Sequence, residues 1–117
     1  METKSLDHSV LESIFAGDAA GVADFLKELS PAVDRIEARV VEACEQHDWS
    51  GARQALHEMK GMCASAGCNE VARLCAEAEA DLAARRHDPV PVAVEALQAA
   101  CERLRAAIRE ATAIPAT

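Results

Sequence analysis

The stretch Asp18–Gln46, DAAGVADFLKELSPAVDRIEARVVEACEQ, decides the fold. Its apolar residues Val22, Phe25, Leu26, Leu29, Val33, Ile36, Val40 and Cys44 recur at steps of three and four. That spacing lines one face of an α-helix. Asp18 stands where an N-cap is needed, with a short carboxylate that accepts from a free amide of the first turn. Pro31 interrupts the run. Proline lacks the amide hydrogen and crowds the preceding turn, so either the helix kinks there or Ser30 caps a fresh helix with Pro31 at its first position. We expect one long kinked element.

The same periodicity extends to both sides. A short segment from about Asp7 to Ala16 carries Val10, Leu11, Ile14 and Phe15 on one face. A third segment runs from about Ser50 to Ala66, with Asp48 or Ser50 as its cap. A fourth starts after Gly67 and runs to about Arg86, with Val71, Leu74, Cys75, Ala78 and Leu82 on one stripe. Arg85 and Arg86 there suit a helix C-terminal dipole. The fifth opens after Pro91 and carries Val94, Leu97, Cys101, Leu104 and Ile108. The breaks between segments are short: Gly17-Asp18, His47 to Ser50, Ala66 to Asn69, and Arg86 to Pro89. Four long amphipathic helices joined by tight turns predict an all-α, antiparallel up-down four-helix bundle, with the short first helix capping one end. The whole chain, residues 1–117, is expected to be a single domain.

Composition agrees. The chain holds 26 alanines, two phenylalanines, one tryptophan and no tyrosine. Such a chain builds a narrow core of Ala, Leu, Val, Cys and Met between closely spaced helices. The net charge is −8. An acidic, aromatic-poor surface offers neither counterion release nor base stacking, which argues against nucleic acid as a partner. No apolar run approaches the roughly 20 residues of a membrane span, and the N-terminus does not read as a signal peptide. A cytoplasmic protein is expected.

The five cysteines, Cys44, Cys63, Cys68, Cys75 and Cys101, form no CxxC pair. Cys44, Cys63, Cys75 and Cys101 fall at positions expected to be buried, where a thiol acts as a small hydrophobe. Cys63, Cys68, Cys75 and a histidine do not match usual zinc spacings, so no metal site is expected.

The third segment carries the chemistry. At about 100° per residue, Ala52, Ala55, Met59, Met62, Cys63 and Ala66 cluster on one side of the helix. His57 lies nearly opposite, so it is an exposed histidine and not a core one. Arg53, Lys60, Gly61 and Ala64 share its side, at i−4, i+3, i+4 and i+7. A glycine inside a helix costs about 1 kcal/mol relative to alanine. Here it removes bulk one turn from the imidazole, where another backbone can approach. Acidity is also unevenly spread: residues 1–50 carry −7 and residues 51–117 carry −1. Arg53 and Lys60 make the histidine face locally basic. His8, His47 and His87 fall at helix ends or turns, where little chemistry is implied.

The stretch from Ala55 to Cys68, ALHEMKGMCASAGC, resembles the signature of histidine-containing phosphotransfer (HPt) domains. That signature is H-x-L-K-G, then small residues, then a glycine six after the first. Here it reads H-E-M-K-G, with Gly61 and Gly67 at that spacing. The Asp48-Trp49 pair, the Leu74 to Glu79 helix and the spacing of Phe25, Leu26 and Pro31 also suit the family, so the resemblance covers nearly the whole chain. Met59 replaces leucine, a volume-conserving exchange. Cys63 and Cys68 stand where serine or alanine is usual.

The resemblance implies a phosphoryl carrier in a multistep two-component phosphorelay, not an autonomous kinase. His57 would accept a phosphoryl group from a receiver-domain aspartate of a hybrid sensor kinase and pass it to a response-regulator receiver. Lys60 and Arg53 would balance phosphate charge, and Gly61 and Ala64 would leave room for the partner's loops. The partner would supply Mg²⁺, and a monomer is expected. A second class of function uses the same surface: a bundle that docks on a receiver or kinase and inhibits it without accepting phosphate. A third would use the cysteines for metal or redox chemistry.

Overall fold

The computed structural model describes residues 4–113. These fold into five helices: α1 (His8–Phe15), α2 (Ala19–Glu45), α3 (Trp49–Ser65), α4 (Asn69–Ala83) and α5 (Val90–Thr112). No strand occurs among the described residues. α2 runs unbroken through Pro31, which lies on the exposed side. The helix therefore does not restart at Ser30. The ring costs the Lys27 carbonyl its helical donor, and an exposed position lets water take its place.

Local chemistry sets the helix starts. Asp7, Asp18 and Asp48 each accept a backbone N–H of the first turn, from Ser9, Gly21 and Gly51 respectively. Each cap satisfies one of the donors that a helix start leaves unpaired. The expected limits of two segments shift. α4 ends at Ala83, so Arg85 and Arg86 lie in the turn beyond it, and α5 begins at Val90, ahead of Pro91. Proline near a helix start sacrifices only a donor that was already unpaired.

α2 packs on α3, α3 on α4, α4 on α5, and α5 back on α2. The enclosed core is apolar and includes Leu26, Val33, Val40, Leu56, Met59, Val71, Leu97 and Leu104. Alanines at 52, 55, 78 and 100 are buried between the helices, as a narrow core requires. Two details of α3 differ from expectation. Leu56 is fully buried, whereas Met62 is only partly covered. Among the cysteines, Cys63, Cys68, Cys75 and Cys101 are buried and Cys44 is half-buried. Burial raises the thiols of Cys75 and Cys101 to a pKa of about 12, which keeps them protonated and inert.

The N-terminal segment is fastened to the α3–α4 turn. Asp7 N–H donates to the Gly67 carbonyl at 2.8 Å, and Glu70 N–H donates to the Lys4 carbonyl at 3.2 Å. Gly67 has φ +80°, and a Cβ there would lie 3.0 Å from the Asp7 carbonyl oxygen. Both the left-handed backbone and the close crossing demand glycine. This second glycine of the motif therefore serves the fold: it turns the chain so that α4 comes back along α3.

Candidate functional site

α3 presents His57 at mid-helix, with 70% of its side chain exposed. Its phase on the helix is as expected, because Ala52, Ala55, Met59 and Cys63 hold the opposite face in the core. Arg53, Gly61 and Ala64 are exposed on the same side, and Lys60 lies at its edge. Nothing comes within 4 Å of where a Gly61 Cβ would stand, so the surface beside the histidine is open.

One residue of the site escaped the sequence reading. Glu79 of α4 reaches across to α3 and contacts two side chains at once. Its Oε2 lies 3.0 Å from His57 Nδ1, and its Oε1 accepts from Lys60 Nζ at 2.7 Å. The signal for it was present in the spacing. Once the chain turns at Gly67, residues about equally far from residue 68 on either side meet, and 57 and 79 are such a pair. Glu79 is largely buried, with 16% of its side chain exposed. The hydrogen bond from Lys60 holds its carboxyl below the ordinary value; burial opposes this and the contact with His57 adds to it.

An ionised carboxylate only accepts hydrogen bonds. In the neutral ring the contact with Glu79 therefore places the imidazole proton on Nδ1 and leaves Nε2 with its lone pair. Nε2 is the distal nitrogen of the exposed ring. The arrangement is an anchored imidazole with a free nucleophilic nitrogen, beside a lysine whose charge the same carboxylate engages. On its other flank the imidazole borders an open groove lined by Ser50, Arg53, Gln54, His57 and Glu79.

The remaining histidines do not join this site. His47 and His87 sit at one end of the bundle and sandwich Trp49, with ring centroids 5.1 and 4.5 Å from the indole. No group of three or more His, Cys, Asp or Glu among the described residues is placed to hold a metal ion. No described helix is long and apolar enough to cross a membrane.

Comparison with curated proteins and with solved structures finds no match. The family model of the Hpt domain matches residues 21–107, which run from the first turn of α2 into the last turns of α5 and include His57, Lys60, Gly61, Gly67 and Glu79. With that match, which covers most of the chain and nearly all of the α2–α5 bundle, the chain belongs to the Hpt domain family.

Proposed function

We propose that this protein is a phosphoryl carrier of a multistep two-component relay, with His57 as the acceptor. The observation that carries the proposal is the 3.0 Å contact between His57 Nδ1 and Glu79 Oε2, which in the neutral ring leaves Nε2 as the free nitrogen of an exposed side chain. In the forward step the Nε2 lone pair bonds to phosphorus and the bond to a receiver aspartate oxygen breaks. The aspartate leaves as a carboxylate, and the ring keeps its proton on Nδ1. The return step passes the group to the aspartate of a response-regulator receiver. Phosphoryl transfer depends chiefly on positioning and charge stabilisation. Here Glu79 fixes the ring, Arg53 and Lys60 bring positive charge, and Gly61 and Ala64 leave room for the partner's loops. The receiver brings the Mg²⁺ that the transfer uses.

The four-membered ring of helix contacts and the short turns support an antiparallel up-down bundle acting as a single domain. The protein works as a cytoplasmic monomer between a hybrid sensor kinase and a response regulator. Nothing in the site favours the inhibitor reading, in which the imidazole would need no anchor.

Incubation with a phosphorylated receiver domain should transfer an acid-labile, base-stable phosphate to this chain, and His57→Gln should abolish it. Label on another histidine, or complex formation without any transfer, would overturn the proposal.

A further inference from the structure

The groove beside His57 has a definite side. A helical side chain leans toward the N-terminus and covers the turn before its own Cα. Correspondingly, the open space that His57 borders is lined by Ser50, Arg53 and Gln54 of the preceding turns and by Glu79 of α4, and Lys60 and Gly61 are not part of it. Ser50, Arg53 and Gln54 all carry donors. None of the three side chains makes a hydrogen bond or ion pair with another described residue. Of the other arginines, Arg39, Arg73, Arg86, Arg103 and Arg105 are each tied to a carboxylate, whereas Arg35, Arg85 and Arg109 have no ion pair among the described residues but do not line this groove. Lys60 is tied as well, at 2.7 Å from Glu79. The Lys60 charge therefore offsets the Glu79 charge, and Arg53 is the surplus cation of the groove.

We infer that the phosphoryl group on His57 is seated in this groove, on the Arg53 guanidinium with Ser50 and Gln54 as further donors. Lys60 then acts as a positioning residue, by neutralising Glu79. The inference rests on His57 being the acceptor and assigns where the transferred group lies. A guanidinium suits this task because its fork of N–H donors matches phosphoryl oxygens.

The test removes the partner. Phosphoramidate, a small phosphodonor, is incubated with the full chain. The Nε2 lone pair bonds to phosphorus, the phosphorus–nitrogen bond of the donor breaks, and that nitrogen leaves as ammonia. The ring retains its Nδ1 proton against Glu79. Arg53→Gln should slow labelling of His57 about tenfold, the scale of one hydrogen bond to a charged group. Arg53 is exposed and unpaired among the described residues, so the variant should melt like the parent. In the parent, the Arg53 Nε–H resonance should move on phosphorylation.

Lys60→Gln should also slow labelling, by exposing the phosphoryl group to an uncompensated Glu79. The double variant Lys60→Gln/Glu79→Gln should then label faster than Lys60→Gln alone, since an amide in place of the carboxylate restores neutrality and still accepts from Nδ1. Parental labelling by Arg53→Gln, or an unmoved Arg53 resonance, would overturn the seat. A double variant as slow as Lys60→Gln would overturn the positioning role and put Lys60 itself on the phosphoryl group. Failure of His57 to take label in the parent, from phosphoramidate and from receivers alike, would instead sink the carrier proposal beneath it.

Discussion

His57 and His47 are near neighbours in the sequence, yet their surroundings make opposite use of the imidazole. His57 meets a carboxylate through Nδ1, and its other nitrogen has no partner among the described residues. His47 meets an indole face-on, at an interplanar angle of 14°, and His87 covers the other face at 23°. Stacking uses the flat faces of the rings and leaves both nitrogens without a fixed role. The first arrangement orients an exposed ring. The second closes the end of the bundle where the α2–α3 and α4–α5 turns meet. Histidine identity therefore says little here; the group in contact with the ring decides.

The contrast can be broken in order of expected effect. The largest is on labelling. His57→Gln should abolish phosphorylation outright, whereas the double variant His47→Gln/His87→Gln should keep it, read as acid-labile label after incubation with a phosphorylated receiver. Loss of label in the double variant would mean that the end stack takes part in transfer.

Next comes stability. Trp49 is half-buried and sandwiched, so Trp49→Ala should cost about 2 kcal/mol in urea unfolding, below the range for a fully buried aromatic. His57→Gln, at an exposed position, should stay within about 0.5 kcal/mol of the parent.

A third effect concerns pH. Lys60 and His57 hold the Glu79 carboxyl below its ordinary value. A carboxyl whose pKa is lowered by folding contributes stability above its unfolded pKa and loses it as pH falls through the folded one. Glu79→Gln should therefore cost about 1 kcal/mol near neutrality, the scale of a partly exposed ion pair. The gap from the parent should close on acidification below the carboxylate range, in thermal melts recorded across pH.

The smallest effect separates the two turns at the stacked end. His47 has φ +55° and Arg85 has φ +59°, left-handed conformations that glycine adopts without strain. Arg85→Gly should raise stability by about 0.5 kcal/mol, because φ relief exceeds the added chain entropy. His47→Gly should not, because it also removes one face of the sandwich. Equal gains from both would show that the stack contributes nothing.

Much of this was legible in the residues. The three- and four-residue steps from Val22 to Cys44 gave α2, and the opposition of His57 to Ala52, Ala55 and Met59 gave the exposed histidine. Such signals are local, since one helix suffices to express them. Glu79 was not legible as a site residue. Its role depends on the register between α3 and α4, and that register is set by the Gly67 turn and its clasp on Asp7. The Trp49 stack is further removed still, because His47 and His87 come together only when two separate turns close at the same end. Met62 is less buried than its place in the stripe suggested, and Leu56, outside that stripe, is fully buried, for a similar reason: the phase of a single helix places a stripe, but the neighbours decide how wide it is.

Trp49 offers a consequence of another kind. It is the single tryptophan in a chain without tyrosine, so the near-ultraviolet emission of the protein comes almost wholly from one indole held between two imidazoles. It lies on the same helix as His57, about two turns or 12 Å along the axis. Its emission therefore offers an optical test of whether a partner docks over His57, readable in real time with no label attached to the site.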